Sequence, residues 1–227
     1  MTIINWILIS ALAIDFILLI ISHILKIVIL QKISECLIIP IFGSFIVVLL
    51  QNYLPDSLHL IKVTIAALSL ATVSTIFLSF DKIKILRILG RILILANVFC
   101  WITLFRSVFY IHSVPMWLII LMSCIYLAGT IAAIILSGKQ EIRFYTLFTL
   151  SFALSSYLHF CSLIFLCYET STHAILLFSG TTLFTGLTAF HFINQAKLKI
   201  KHAGIIRYSL LVTSQILIAC SNLLMIR

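Results

Sequence analysis

The sequence predicts an all-α, polytopic membrane protein of eight transmembrane helices joined by short loops. Of its 227 residues, 63% are hydrophobic and only 9% are charged, whereas a soluble domain carries about 25% charged residues. The apolar residues also fall into eight long runs, and about 20 residues are needed to cross the hydrocarbon core of a bilayer. This composition excludes a water-soluble globule, so we treat residues 1–227 as a single transmembrane domain.

Charged residues, proline, glycine and asparagine mark the breaks between the runs. Each run holds scarcely any formal charge and is longer than a membrane β-strand, which alternates in hydrophobicity over about 10 residues. The first run lacks the basic start and small-residue cleavage site of a signal peptide, so we expect it to remain as a helix. In order, the predicted helices comprise residues 3–25, 36–54, 58–80, 88–109, 114–136, 144–168, 173–194 and 203–226.

The basic residues predict the orientation. Of the 15 Lys and Arg residues, 12 lie in or beside the connections 1–2, 3–4, 5–6 and 7–8. Because Lys and Arg resist translocation, these connections are predicted to be cytoplasmic and both termini extracytoplasmic, in a bacterial-type inner membrane.

The net charge of +9 is then explained by the basic residues of the cytoplasmic connections. We expect membrane lipids as partners, with anionic headgroups at basic loops such as Lys197–Lys201, and no nucleic acid. The oligomeric state stays open.

Two basic connections hint at an internal repeat. Lys82–Ile85 and Lys197–Ile200 have the same alternation of lysine and aliphatic residues and lie about half the chain apart. Each joins an odd-numbered helix to the next even-numbered one. The sequence therefore suggests a parallel repeat of four plus four helices.

Ionisable residues inside the membrane are the first candidates for function, because each costs free energy unless it is paired or faces water. Asp15 is the one acidic residue deep within a predicted helix. His159 follows Ser151, Ser155 and Ser156 on one face of helix six. Either residue can instead serve helix packing through a hydrogen bond to a neighbouring helix, so the structural and functional interpretations both stay open.

The cysteines and histidines give no sign of a metal or cofactor site. The six cysteines lie in or beside apolar runs, without a C-x-x-C pair or zinc-ligand spacing. Haem ligation requires two histidines at matching depth; His159 and His191 are mismatched, and His23 could match His191, but no repeated histidine spacing supports such a pair. We therefore predict no metal and no cofactor.

Several short motifs occur in the order found in one known family. Pro40 opens helix two, and Leu89-Gly90 opens helix four with Asn97 further along. The other motifs are Ala67-Leu68-Ser69-Leu70 with Thr72 and Val73, Leu176-Leu177-Phe178 before Gly180 and Thr181, and Ser214-Gln215-Ile216-Leu217-Ile218. Together with eight short-looped helices, they resemble the lysoplasmalogenase family, also called YhhN-like membrane proteins.

The resemblance implies hydrolysis of the vinyl-ether bond of a lysoplasmalogen, which releases a fatty aldehyde. That bond opens by protonation of the enol-ether carbon and addition of water, a task suited to a carboxylic acid paired with a carboxylate. The two intramembrane aspartates typical of the family fall at about Val73 and Thr181, and neither residue ionises. Asn97 stands close to where the family has a histidine. The chain therefore resembles a divergent member of this family, one that lacks both aspartates.

The sequence therefore supports three hypotheses. In the first, the protein is a lysoplasmalogenase-like hydrolase with a lateral cavity between helices three, four, seven and eight. Asp15 and His159 would supply protons there, and the residues binding the headgroup or water would be Thr72, Asn97, Thr181 and Gln215. In the second, the same fold binds lipid or a partner without catalysis. In the third, the protein transports a small solute. Transporters typically have broken helices, and the shortage of such helices here counts against this hypothesis.

Overall fold

The structure is a computed structural model that describes residues 3–53, 58–80, 83–106, 114–137, 142–196 and 203–224. This part of the chain is helical and contains no β-strand. The helices are α1 (Ile3–Ile24), α2 (Val28–Tyr53), α3 (Leu58–Ser79), α4 (Lys84–Arg106), α5 (Met116–Ser137), α6 (Ile142–Tyr168), α7 (Thr172–Ala196) and α8 (Ala203–Leu224). The predicted all-α fold with eight helices is confirmed.

Length and composition make most of these helices membrane-spanning. Seven of the helices in the described ranges are long and apolar enough to cross a bilayer, and in α5 the apolar stretch described, Met116–Ala132, is shorter. The protein is thus an integral, multi-pass membrane protein. The Lys197–Lys201 segment, which we predicted to meet lipid headgroups, lies outside the described residues.

The main difference from prediction is at α2, which begins at Val28 rather than at residue 36. The earlier turns carry polar residues, and Gln31 Nε2 donates a 3.0 Å hydrogen bond to Glu35 Oε1 one turn further on. This local pair explains why a charged segment continues as helix. As a consequence, Pro40 does not open the helix but lies in its interior, where Ser44 Oγ donates to the Pro40 carbonyl at 2.8 Å.

The chain divides into two compact units, Met1–Leu104 (unit 1) and Phe105–Arg227 (unit 2). Unit 1 contains α1 to α3 and nearly all of α4, and unit 2 contains α5 to α8. Four helices per unit is the number that the predicted repeat requires. The duplication itself remains a prediction.

In unit 1, α1 and α2 are joined by a tight turn. Lys26 has a left-handed backbone with φ of 56°, and the Ile27 N–H donates to the Ser22 carbonyl at 2.9 Å. A left-handed residue followed by this backbone bond is the Schellman motif that ends many helices. The connection between the two helices is therefore only three residues long.

The lateral surfaces of α1 are arranged for a lipid environment. Its polar side chains Asn5, Asp15 and Ser22 are buried, whereas apolar residues such as Ile3 and Ile14 are exposed. Lipid tails are as apolar as these side chains, so their exposure costs little in a bilayer. The polar side chains of α1 are thus kept away from the lipid.

Side chains of α3 and α4 link these two helices in unit 1. Gly90 of α4 packs so closely on α3 that an added Cβ would lie 2.9 Å from Leu78 Cγ. Ser74 Oγ donates to the Gly90 carbonyl at 2.8 Å, and Asn97 Nδ2 donates to the Ala67 carbonyl at 2.7 Å. Small residues and interhelical hydrogen bonds are the usual means of helix association in membranes.

In unit 2, α7 and α8 make a similar close approach. A Cβ on Gly180 would lie 3.0 Å from the backbone nitrogen of Ile218. Ser221 Oγ of α8 donates to the His173 carbonyl of α7 at 3.0 Å. The close approach at Gly180 therefore packs α7 against α8.

Candidate functional site

The candidate functional site of unit 2 is built around His159 of α6. The imidazole is held from both sides by residues of two other helices. Nδ1 lies 2.5 Å from Oη of Tyr126 on α5, and Nε2 lies 3.0 Å from Oγ1 of Thr182 on α7. We call Tyr126, His159 and Thr182 the histidine chain. It joins three helices through one side chain.

Ring packing and a further hydroxyl layer fix the imidazole. Phe178 stacks on it at a centroid distance of 5.1 Å. Ser162 Oγ donates to the His159 carbonyl at 2.7 Å and lies 2.6 Å from Thr181 Oγ1. A side chain held in this way has a defined ring orientation, which is what a binding or catalytic group requires.

The histidine chain is not sealed within the protein. Thr182 is exposed, and Tyr126 and His159 are partly buried. Apolar side chains dominate the exposed positions of these helices, so the chain is a polar patch on a surface suited to lipid.

Asp15, the other predicted catalytic residue, lies in unit 1. Its side chain is 4% exposed, and the Ser34 hydroxyl of α2 faces the carboxyl group. Neither Asp15 Oδ2 nor Ser34 Oγ has a hydrogen bond of good geometry. A buried carboxyl oxygen without a full complement of partners is unusual, and this supports a role beyond packing.

Three of the four predicted substrate-binding side chains are buried. Asn97 in unit 1 and Thr181 and Gln215 in unit 2 are each 1% exposed. Thr72, in unit 1, is partly buried and donates to the Leu68 carbonyl of its own helix at 2.8 Å. Of these predicted residues, Thr181 is connected to His159, through Ser162.

The two positions where the resembling family has aspartates differ in environment. Val73 is 38% exposed, whereas Thr181 is buried within the α6–α7 contact. Among the described residues of unit 2, Glu169 is the sole carboxylate, and it lies beyond the end of α6. No described carboxyl group of unit 2 therefore takes the place of the missing pair beside His159.

A second polar cluster lies where α6 meets α7. Glu169 Oε1 and Ser171 Oγ each lie 3.1 Å from Nε2 of His173. A serine–histidine–carboxylate triad uses both ring nitrogens, one for each partner. Because both partners here share Nε2, the cluster fastens the connection between the helices and does not form a relay.

Sequence reasoning missed Tyr126 and did not single out Thr182. The available signal for Tyr126 was its place in the middle of α5, since a tyrosine hydroxyl inside a membrane needs a hydrogen-bond partner. Thr182 is one of several hydroxyl residues in α7, and its spacing alone does not distinguish it from the others.

Neither a metal site nor a known relative emerges. Within the ranges that the structure describes, no group of three His, Cys, Asp or Glu side chains is arranged to hold a metal ion. No family model, curated protein or solved structure matches the chain. The polar groups of the two units are therefore the basis for any functional proposal, together with the motif resemblance.

Proposed function

We propose that the protein is a membrane lipid hydrolase of the lysoplasmalogenase type, which cleaves the vinyl-ether bond of a lysoplasmalogen. The motif resemblance supports the reaction class. The histidine chain is the observation that carries the proposal. An imidazole held between three membrane helices and open to the lipid side costs free energy, and such intramembrane residues are usually functional. In this proposal the lipid substrate enters the site laterally from the bilayer.

The reaction adds one water molecule across the enol ether. A proton is transferred to the second carbon of the alkenyl chain, and water adds to the carbon bonded to the ether oxygen and loses a proton. The resulting hemiacetal breaks its bond to the glycerol oxygen, which takes up a proton, and releases the aldehyde. A general acid and a general base are sufficient for these steps.

In this proposal Asp15 of unit 1 and His159 of unit 2 are the proton-transfer residues, each argued from its surroundings in its own unit. Thr181 and Gln215 support the binding surface in unit 2, and Thr72 and Asn97 do so in unit 1. We also propose that the four basic connections face the cytoplasm, with both termini on the other side of a bacterial-type inner membrane. Anionic lipid headgroups then meet the basic connections.

Aldehyde release from lysoplasmenyl-ethanolamine by the purified protein in nanodiscs tests the proposal. We expect His159→Gln and Asp15→Asn each to lower the rate at least about 100-fold, as loss of a general acid or base does. The matched controls are His59→Gln, an exposed histidine of α3, and Glu169→Gln, a half-exposed carboxylate. Absence of aldehyde from the wild type, or full activity in both variants, would overturn the proposal.

The second candidate is a lipid-binding protein of the same fold without turnover. One observation favours it: the hydroxyl of Thr181 is bonded where the resembling family has an acid. Lysolipid that copurifies with the protein and remains intact over prolonged incubation would support this candidate over the hydrolase.

A further inference from the structure

Two arginines near the start of α4 form a pair at one end of unit 1. Arg87 and Arg91 are the fourth and eighth residues of α4, and side chains four positions apart on a helix are neighbours, with about 5–6 Å between their Cβ atoms. Both side chains are half-buried, and their Nε atoms are buried. We call these two residues the arginine pair. Their guanidinium groups are close enough together to bind one ligand.

The packing of α4 on α3 holds the arginine pair in place. Gly90 lies against Leu78 of α3, and its carbonyl accepts the 2.8 Å hydrogen bond from Ser74. With 3.6 residues per turn, Arg87 and Arg91 lie about 60° and about 100° around the helix from Gly90, on the same side. The pair therefore borders the contact between α3 and α4, which explains why the Nε atoms are buried.

The charges at this end of unit 1 favour an anionic ligand. Lys32 of α2 lies over the ring of Phe80, 5.5 Å from its centroid and just beyond the end of α3, so a third cation is present. The acidic residues that the structure describes in unit 1 are Asp15, near the middle of α1, and Glu35, which is hydrogen-bonded within α2. The buried Nε of Arg87 has no hydrogen-bond partner among the described residues. Arg87 therefore has a donor left for an anion.

The arginine pair lies at the depth of lipid headgroups. The apolar span of α4 begins at Ile85, and at 1.5 Å per residue the Cα atoms of Arg87 and Arg91 lie about 3 Å and about 9 Å inside it. The Cα–Cβ bonds of a helix tilt toward its N-terminus, which for α4 is the end at the bilayer surface. A long arginine side chain keeps its apolar stem in the hydrocarbon while its guanidinium group reaches the interface. Both guanidinium groups can therefore meet a lipid phosphate.

The surface beside the arginine pair fits acyl chains. Ile88 and Ile92 are 37% and 46% exposed, and they alternate with the arginines along the first turns of α4. Lipid tails are as apolar as these side chains. A ligand that carries both a phosphate and acyl chains therefore contacts both kinds of residue, whereas a soluble phosphate contacts the arginines alone.

The number of guanidinium groups selects the type of phosphate. A guanidinium group donates two parallel N–H bonds to phosphate oxygens. A phosphodiester has two terminal oxygens and one negative charge, whereas a phosphomonoester has three terminal oxygens and a charge of about −1.5 to −2 at pH 7. Two guanidinium groups therefore match a phosphomonoester better in both charge and acceptor number.

We propose that Arg87 and Arg91 together bind the phosphomonoester headgroup of a lipid, such as phosphatidic acid, in the leaflet that borders the connection between α3 and α4. Lys32 adds positive charge at the same end of unit 1. The site is separate from the proposed hydrolysis, because it involves neither Asp15 nor His159. It does not depend on aldehyde release.

Native mass spectrometry of the full chain in detergent, with three lipids of identical acyl chains, tests the proposal. Phosphatidic acid is a monoester, phosphatidylglycerol is an anionic diester, and phosphatidylcholine is a diester without net charge. We expect the wild type to bind phosphatidic acid most tightly. Arg87→Gln and Arg91→Gln should each weaken this binding about ten-fold, as loss of a charge-assisted hydrogen bond does. Binding of phosphatidylcholine should not change.

Two further variants separate the arginine pair from general charge and from folding. Arg87→Lys keeps the charge and an apolar stem, but an ammonium is a point charge without the planar fork of arginine, so it should restore only part of the lost affinity. Lys62→Gln removes an exposed cation of α3 and should bind phosphatidic acid like the wild type. Thermal unfolding in the same detergent should give Arg87→Lys the midpoint of the wild type.

Three results would overturn the proposal. The first is phosphatidic acid binding that is unchanged in both glutamine variants, or as weak in Lys62→Gln as in those variants. The second is equal affinity of the wild type for phosphatidic acid and phosphatidylglycerol, or full recovery in Arg87→Lys, since either result would show attraction by charge alone. The third comes from competition with inorganic phosphate, because displacement of phosphatidic acid at equal concentration would make the ligand a soluble phosphate.

Discussion

Oγ of Ser162 lies 2.6 Å from Oγ1 of Thr181, and this buried hydroxyl pair joins α6 to α7. Interhelical hydrogen bonds in membrane proteins contribute about 0.6 kcal/mol on average and at most about 2 kcal/mol. We therefore expect Thr181→Val to lower the free energy of unfolding by about 1 kcal/mol, measured by denaturation in mixed micelles. Thr213→Val is the control, because Thr213 is exposed on α8. Equal stability of Thr181→Val and wild type would contradict the prediction.

The two glycines of α7 should respond in opposite directions to alanine. A Cβ at Gly180 meets the backbone of Ile218 at 3.0 Å, whereas nothing lies within 4 Å of a Cβ at Gly186. Overpacking against backbone costs about 1–3 kcal/mol, so Gly180→Ala should lower the thermal unfolding midpoint. Gly186→Ala should keep or raise it, because alanine loses less backbone freedom on folding. The same loss in both variants would be inconsistent with the α7–α8 contact.

Asp15 should prove dispensable for stability. Its carboxyl group is buried, with Oδ2 lacking a hydrogen bond of good geometry, so replacing it by an apolar residue removes an unfavourable burial. We expect the free energy of unfolding of Asp15→Leu to be higher than that of the wild type or at most about 1 kcal/mol lower. Aldehyde release should be lost. Ser22→Ala on the same helix serves as the control for packing. A large loss of stability in Asp15→Leu would indicate a structural role.

Asn97 should behave in the opposite way. Its amide donates to the Ala67 carbonyl across the α3–α4 contact at 2.7 Å, and its removal leaves a buried acceptor unpaired. The expected cost for Asn97→Ala is about 1–3 kcal/mol of unfolding free energy. Activity that falls while stability is retained would instead assign Asn97 to the substrate, as the sequence analysis predicted.

The lengths of apolar runs predicted the helices well, because a bilayer demands both a minimum length and the exclusion of charge. The predicted ends of α1 and α3 lie within one residue of those observed. The start of α2 was missed by eight residues, since the Gln31–Glu35 pair is polar by composition but favourable in a helix. Composition identifies the bilayer segment, and side-chain pairs extend the helix beyond it.

The candidate site was predictable only in part. His159 was identified because an imidazole among apolar residues is unusual within one helix. Its partners Tyr126 and Thr182 are 33 and 23 residues away in sequence, so no local spacing connects them. The bond from Thr182 to the Phe178 carbonyl, by contrast, lies within α7 at a spacing of four residues, which helix geometry alone allows.

The Schellman turn at Lys26 bears on how the protein enters the membrane during synthesis. A helix with an aspartate at its centre carries an insertion penalty of about 3 kcal/mol, and α1 has Asp15 near its middle. Because the turn at Lys26 takes only three residues, we expect α1 and α2 to insert as a helical hairpin, in which Ser34 enters the lipid together with Asp15.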